Sequence, residues 1–426
     1  MNYLVLSLIL GGISLAAALP WRKRFVPEIG DDAAGKTVLI AVVVMTVVYS
    51  WLGLSKLNAG QMGLMDFGIY DSMMHLMATG GGFLQDYRGG MFDHFSPVMV
   101  LLLPLYWLSD SPVQLIWFQA LTMAAAGPVL YLLARGYCRS NAFPLLLTGL
   151  YFLNPYYSRI ALYDFHIECL FPLFFFGAML AYRRRKKWLF ALLLCGSMLI
   201  KEDFAIPIAA TGFYLCCFRK DDRKTGLGIL IFSVVSVLLI LKVYFPAVMP
   251  EGYWHYGRYP LIGADGAETW QNLCGMLARF FRGWNIVTAA TVLLPFLLLP
   301  LWDWRYCLTV WFPTLMIQML STHFQQNVLA SHYASALIAV TPVAALYGMR
   351  YFRVWMRRRK TPFSAGYWWY AGLIFAVATH ICCCELPLLR YHNYVGKWEA
   401  QYHFGILSVP LRAAWYQEMD NLTLAA

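Results

Sequence analysis

The chain contains the uncharged stretch Thr37-Val-Leu-Ile-Ala-Val-Val-Val-Met-Thr-Val-Val-Tyr-Ser-Trp-Leu-Gly-Leu54, which has Lys36 directly before it and Lys56 just after it. Crossing the hydrocarbon core of a bilayer takes about 20 apolar residues in an α-helix. A helix also satisfies its backbone hydrogen bonds internally, as lipid requires. The stretch therefore predicts a transmembrane helix and an all-α integral membrane protein.

The composition of the whole chain supports this class. Of its 426 residues, 60% are hydrophobic and 13% are charged, whereas soluble domains carry about 25% charged residues. The formal net charge of +11 does not indicate nucleic-acid binding, because the basic residues form short runs beside apolar spans. The ten cysteines form neither a disulfide framework nor a zinc motif.

Similar apolar segments recur along the chain. We predict about twelve transmembrane helices, near residues 3–19, 37–54, 113–134, 142–158, 167–182, 188–200, 203–218, 226–247, 286–302, 306–321, 333–349 and 365–386. The chain then divides into an extra N-terminal helix with a basic loop (1–36), a transmembrane core (37–350), and a last helix with a tail (351–426). Arg22-Lys-Arg24 after the first span favours an uncleaved helix with its N-terminus outside.

The basic residues predict the orientation of these spans. Of the 33 Lys and Arg, 22 fall in the segments 20–36, 135–141, 183–187, 219–224, 303–305 and 350–360, while 16 of the 22 acidic residues lie on the other side. Cytoplasmic loops carry the excess of Lys and Arg, so the remaining loops face outward: 55–112, 159–166, 201–203, 250–285 and 322–332. Val98 to Leu108 is too short to cross, and we expect an interfacial or re-entrant helix there.

The large first outer loop carries the first candidate site. Asp66 and Asp71 lie five residues apart in it, where a carboxylate can act as a general base or bind a divalent cation such as Mg²⁺ or Mn²⁺. Solvated or helix-capping aspartates are the alternative. His94, in Asp93-His94-Phe-Ser-Pro97, can bind phosphate or simply begin the interfacial helix.

A second polar cluster, Asp164-Phe-His166-Ile-Glu168, interrupts apolar sequence at the mouth of a span. Ionisable residues are costly at a membrane span and mark functional sites by default. If this segment is helical, Asp164 and Glu168 share a face at i, i+4 and repel each other unless a cation or a proton intervenes. A metal site formed by Asp66, Asp164 and Glu168 is therefore one candidate.

Further candidate binding residues follow in the later outer loops. Lys201, in the turn Lys201-Glu-Asp203, lies where a lipid phosphate would sit, although a polar hairpin turn is the simpler explanation. Tyr256 and Arg258 suit either sugar stacking with phosphate binding or an aromatic membrane belt. His332 adds a hydrogen-bonding group at the same face.

Five short motifs in this order resemble the DUF2079 group of predicted multi-pass membrane proteins: Asp66-Phe-Gly-Ile-Tyr-Asp71, His94-Phe-Ser-Pro97, Asp164-Phe-His166, Lys201-Glu-Asp203 and His332-Tyr333. The resemblance extends from about residue 45 to 350. That group in turn resembles GT-C glycosyltransferases, including the protein O-mannosyltransferase and aminoarabinose transferase families.

The resemblance implies a GT-C-like fold and a sugar transfer from a polyprenyl-phosphate donor to an outer glycan, lipid or protein acceptor. Asp66 would be the base, Asp164 a second acidic residue, and Lys201 a donor-phosphate contact. Where the family has an Asp-Glu pair, this chain has Asp66-Phe67, which leaves the metal open. We expect the active face to lie outside the cell (inner or plasma) membrane. A transporter or flippase of lipid-linked or small anionic substrates is the alternative.

Overall fold

The computed structural model of the protein describes residues 3–23, 26–58, 62, 64–80, 94–248, 257–259, 266–359 and 362–383, and all regular elements within these ranges are helical. The α-helices are α1 Tyr3–Ala17, α2 Asp31–Asn58, α3 Ile69–Thr79, α4 Leu103–Leu108, α5 Val113–Arg135, α6 Ala142–Phe152, α7 Pro155–Leu162, α8 Phe171–Arg183, α9 Lys187–Gly196, α10 Ala205–Phe218, α11 Arg223–Leu239, α12 Phe245–Val248, α13 Gly266–Phe280, α14 Gly283–Leu293, α15 Trp304–Tyr306, α16 Phe312–Leu320, α17 Phe324–Asn327, α18 Ser335–Arg359 and α19 Ala365–Cys383.

Four helical segments of the described chain are long and apolar enough to cross a membrane: Asp31–Asn58, Val113–Arg135, Lys220–Val248 and Phe324–Arg359. The first contains the stretch 37–54 and begins with Asp31 and Asp32, whose charges suit a helix N-terminus. The prediction of a helical membrane protein is confirmed. The count of twelve crossings remains a prediction.

The outer surface of α2 has the chemistry of a lipid-facing helix. Leu39, Ile40, Val43, Val44 and Val47 are 49–64% exposed. In water such a continuous apolar face would mark an interaction surface, and in a membrane protein the hydrocarbon covers it. The other side of α2 packs against α5 and α7.

The predicted span 142–158 is wrong as a single helix, because the chain breaks at Asn154-Pro155. The α6 helix ends at Phe152, and Asn154 is extended at φ −68° and ψ 132°. A residue before proline is biased away from the helical region, and proline suits the first turn of a new helix. The side chain of Asn154 caps α7 by accepting from the Tyr156 N–H at 2.9 Å. Helix α7 continues to Leu162, so the turn predicted at 159–166 is shorter.

The predicted span 286–302 is also interrupted. Helix α14 ends at Leu293, and two short 3₁₀ turns follow at Leu294–Phe296 and Leu299–Trp302. Leu297 and Leu298 between them have positive φ values of 56° and 55°, which branched side chains rarely adopt. Pro295 and Pro300 explain the break, because proline removes a backbone donor from a helix.

The acidic motif Asp66-Phe-Gly-Ile-Tyr-Asp71 is helical rather than irregular. Asp66 lies in a π-helical turn, Leu64–Gly68, and Asp71 lies in the first turn of α3. The predicted short helix at 98–108 is confirmed as helical, as a 3₁₀ turn at Pro97–Leu102 followed by α4. Its position at the membrane interface remains a prediction.

The centre of the bundle is α18, whose residues from Ser335 to Gly348 are buried. It packs against α8 and the Leu299–Trp302 turn. The α1 helix packs against α19, at the edge of this core. The start of α18 and the loops before α8 and α10 meet at one end of the bundle, and the candidate residues gather there.

Candidate functional site

A buried ion pair forms the centre of the site. Lys201 Nζ lies 2.7 Å from Glu168 Oε1, and the two side chains are only 4% and 3% exposed. Lys201 precedes the 3₁₀ turn Glu202–Phe204 and has an extended backbone, while Glu168 lies in the 3₁₀ turn Ile167–Leu170. The pair therefore joins two loops 33 residues apart in sequence.

The charge of Lys201 is fixed by its neighbours. Burial alone would lower its pKa, but the carboxylates of Glu168, Asp203 and Glu202 raise the pKa of Lys201 above its ordinary value. A buried charge without a partner is strongly destabilising. Lys201 is therefore a permanent cation next to Glu168.

Two buried histidines stack beside this pair. The rings of His166 and His332 are 3.7 Å apart and inclined by 15°. His332 Nε2 lies 3.7 Å from Glu168 Oε1, while His166 Nδ1 lies 3.0 Å from the Asp164 carbonyl. Among the described residues, Glu168 Oε2 and His332 Nδ1 are buried without a hydrogen-bond partner. A buried polar atom without a partner calls for an explanation, and a catalytic role or a bound water or ion are among those that apply.

Asp66 connects to the histidines through Tyr163. The Tyr163 hydroxyl donates to Asp66 Oδ2 at 2.6 Å, and its ring centroid lies 5.2 Å from that of His166. Burial raises the pKa of the Tyr163 phenol, and the bond to Asp66 raises it further. Tyr163 is therefore a constant donor to Asp66, which is itself partly exposed.

Asp164 pairs with a lysine that sequence reasoning missed. Lys56 Nζ, at the end of α2, lies 2.8 Å from Asp164 Oδ1 and 3.3 Å from the Leu162 carbonyl. Asp164 and Glu168 do not share a helical face, because the chain before Ile167 is not helical, so the condition for an i, i+4 pair is not met. Each carboxylate faces its own lysine instead.

His94 and Glu202 connect the segment before Pro97 to the Lys201 turn. His94 Nδ1 lies 2.7 Å from Glu202 Oε1, and the Phe95 N–H donates to Glu202 Oε2 at 2.9 Å. The start of the 97–108 helical segment is therefore fixed directly beside Lys201. This supports the prediction that loops distant in sequence share one site.

Arg258 approaches the same tyrosine as Lys201. Its Nη1 is 3.3 Å from the Tyr333 hydroxyl, and Lys201 Nζ lies 6.0 Å from the centroid of the same Tyr333 ring. Tyr333 in turn lies against His332, with centroids 4.3 Å apart. Two cations therefore lie near one tyrosine, and Lys and Arg side chains are the usual ligands of phosphate.

Asp71 and Tyr256 are the remaining predicted residues. Asp71 accepts a hydrogen bond from the Tyr106 hydroxyl at 2.7 Å, which ties α3 to α4. Tyr256 lies outside the described residues.

The side chains do not fit the proposed metal site. Within the described ranges, no group of three or more His, Cys, Asp or Glu is arranged to hold a metal ion. Asp66, Asp164 and Glu168 are paired with Tyr163, Lys56 and Lys201, respectively.

Sequence reasoning missed Lys56, Tyr163 and Gln119. Gln119 lies inside α5, donates to the carbonyls of Ile160 and Tyr163 at 3.0 and 2.9 Å, and accepts from the His166 N–H. It therefore positions the 160–166 loop. A polar residue inside an apolar span is itself a signal of function, and could have identified Gln119.

The helices and the buried ionisable cluster define a multi-helix membrane protein with a polar site at one end of its bundle. The chain belongs to the DUF2079 family, described as predicted membrane proteins, whose model matches residues 56–383. All the paired residues above lie within that match. A comparison with curated proteins found no match.

Proposed function

We propose that this protein is a membrane glycosyltransferase of GT-C type, which transfers a sugar from a polyprenyl-phosphate donor to an acceptor outside the cell membrane. The observation that carries the proposal is Asp66, a partly exposed carboxylate 2.6 Å from the Tyr163 hydroxyl. It adjoins the cluster that holds Lys201 and Arg258. A partly exposed base, linked through Tyr163 and the stacked histidines to a cluster with cations, suits the attack of an acceptor on a phosphate-linked sugar.

In the proposed reaction, Asp66 removes the proton from an acceptor hydroxyl as its oxygen attacks the anomeric carbon of the donor. The bond between that carbon and the phosphate oxygen breaks, and polyprenyl phosphate leaves as an anion. Positive charge at Lys201 and Arg258 stabilises the charge that develops on the phosphate. No step passes through a metal ion, because the described side chains do not provide a metal site.

The two cations have different tasks in this proposal. Arg258 is partly exposed and makes the first contact with the phosphate. Lys201 is already paired with Glu168, so the phosphate has to compete with that carboxylate. When Lys201 turns toward the phosphate, Glu168 retains His332 as a neighbour, 3.7 Å away. The acceptor is a glycan, a lipid or a protein.

A transporter or flippase of lipid-linked or small anionic substrates is the second candidate. The buried Lys201–Glu168 pair and the stacked histidines favour it, because intramembrane ionisable residues also form proton relays. In that case the protein moves the lipid without breaking the sugar–phosphate bond.

The test is a reconstituted transfer assay with the full chain in proteoliposomes and a radiolabelled polyprenyl-phosphate sugar. We expect Asp66→Asn to reduce sugar transfer at least 100-fold, because the amide keeps the size of the side chain but cannot take the proton. Asp110→Asn is the control, since Asp110 is exposed and pairs with His75, and it should keep full activity. Full transfer by Asp66→Asn contradicts the assignment of the base. If the unmodified protein moves the lipid across the bilayer but transfers no sugar, the transporter is the better account of its function.

A further inference from the structure

An apolar groove lies between α10 and the helix that follows it. Its walls are Ala205, Ile206 and Ala209 on one side and Val234, Val237 and Leu241 on the other, around a cavity of about 300 Å³. Val234 is 46% exposed, so the groove opens sideways on the helix surface. The Val234 side belongs to Lys220–Val248, one of the segments able to cross a membrane. The opening therefore faces hydrocarbon.

The shape of the groove follows from two glycines. A Cβ placed on Gly212 would lie 2.8 Å from the Gly226 carbonyl oxygen, so α10 and α11 touch there. The helices are joined by the short 219–222 turn and run antiparallel, and the groove lies between them on the side of Ala205 and Leu241. Ala205 and Ala209, one turn apart, leave the space open. The distance from Gly212 to Ala205 along α10 is about 10 Å at the rise of an α-helix.

The open end of the groove is polar. Glu202, Asp203 and Tyr259 line it, and Glu202 also holds His94. Among the described residues, Asp203 Oδ1 is buried without a hydrogen-bond partner. A carboxylate oxygen accepts hydrogen bonds, so this end suits a donor such as a sugar hydroxyl, while the phosphate itself needs the positive charge of Lys201. The groove therefore begins at the turn that carries Lys201.

We propose that this groove binds the first isoprenoid units of the donor lipid, with the phosphate over the 201–203 turn. The inference rests on the proposed lipid-linked donor and names where its chain lies. A narrow channel with one polar end accepts a single chain attached to a phosphate. The notches beside Ala205 and Ala209 leave room for its methyl branches.

Photolabelling of the full chain tests the proposal directly. The probe is a polyprenyl monophosphate that carries a diazirine on its second isoprenoid unit, added to the purified protein in detergent micelles. Labelled peptides should map to α10 and to Lys220–Val248. Phosphatidic acid with a diazirine in an acyl chain is the comparison, because it offers the same phosphate on a different chain. We expect it to label these helices at least fivefold less.

Two neighbouring valines supply a matched pair of variants. Val234 lines the groove and Val235 does not, although they are 46% and 47% exposed. Val234→Trp fills the groove and should reduce labelling at least fivefold, whereas Val235→Trp should leave it unchanged. If the two variants are labelled equally, or if the two probes label the protein equally, the proposal that this groove binds the isoprenoid chain is wrong.

The result also separates this inference from the proposed function. If the protein transfers sugar but the groove is not labelled, the proposed lipid-binding role of the groove is wrong and the proposed transferase activity stands. If Val234→Trp blocks labelling but the protein transfers no sugar, the groove binds the lipid chain and the proposed transferase activity is wrong.

Discussion

At the scale of single residues, the site consists of ion pairs and hydrogen bonds between residues that are far apart in sequence. Lys56 and Asp164 are 108 residues apart, as are His94 and Glu202, and Lys201 and Glu168 are 33 apart. Burying a charge is costly unless a partner and hydrogen bonds compensate it. Because burying these charges costs free energy, we assign the pairs to function rather than to stability.

The Lys201–Glu168 pair allows a test of this argument on stability. Lys201→Met leaves Glu168 buried and uncompensated, and should destabilise the fold by about 3–5 kcal/mol. The double variant Lys201→Met/Glu168→Gln removes both charges and should recover most of that loss. Thermal unfolding in detergent measures both variants.

The control for these two variants is the ion pair Lys36–Asp32, whose side chains are 70% and 81% exposed. Lys36→Met should leave the melting temperature unchanged, since exposed pairs contribute little. If the double variant unfolds as early as Lys201→Met alone, the pair holds the fold together in another way, and the argument from uncompensated charge fails.

Much of the site could be predicted from sequence, because ionisable residues stand out in apolar segments. His94, Asp164, His166, Glu168, Lys201 and His332 fall in or around one cluster, as charge counting implied. Which lysine pairs with which carboxylate could not be predicted, since that depends on packing. In the sequence Lys56 is a flanking charge of its span, and no motif distinguishes Tyr163 from the many other tyrosines.

At the scale of the helices, composition predicts where apolar segments lie but not where they break. The span 37–54 lies wholly within α2, and no proline interrupts it. The segments 142–158 and 286–302 break at prolines, which hydrophobic counting ignores. The break at Asn154-Pro155 matters for the site, because α7 then directs Tyr163 toward Asp66.

The crossing of α10 and α11 provides a prediction at this scale. A Cβ on Gly226 would lie 2.6 Å from the Gly212 carbonyl oxygen and 2.7 Å from Leu215 Cβ. Gly226→Ala should therefore push the helices apart and cost about 1–3 kcal/mol. A lower melting temperature in detergent would reveal this loss.

Gly228 is the matched control for this change, two residues further along the same helix, where an added Cβ meets nothing within 4 Å. Gly228→Ala should leave the melting temperature unchanged or raise it, because alanine favours helix. Equal melting temperatures for the two variants would show that the close approach of the helices does not limit their packing.

At the scale of the whole molecule, the orientation rests on the basic segments. Asp110 and Arg258 lie on the side that we place outside, and Arg184 lies in the run 183–187 that we place inside. In a background without native cysteines, Asp110→Cys and Arg258→Cys should react with a membrane-impermeant maleimide on intact cells. Arg184→Cys should react only after permeabilisation. The reverse pattern would invert the topology and move the site to the cytoplasm.

The most direct measurement of the central claim is the lipid content of cells that lack this protein. If the protein uses a polyprenyl-phosphate sugar, that lipid should accumulate in a deletion strain, and extracts analysed by mass spectrometry should reveal it. The wild-type gene should restore the normal level, and Asp66→Asn should not, although the variant reaches the membrane. An unchanged lipid profile in the deletion strain, or full restoration by Asp66→Asn, would contradict a transferase that uses Asp66 as its base.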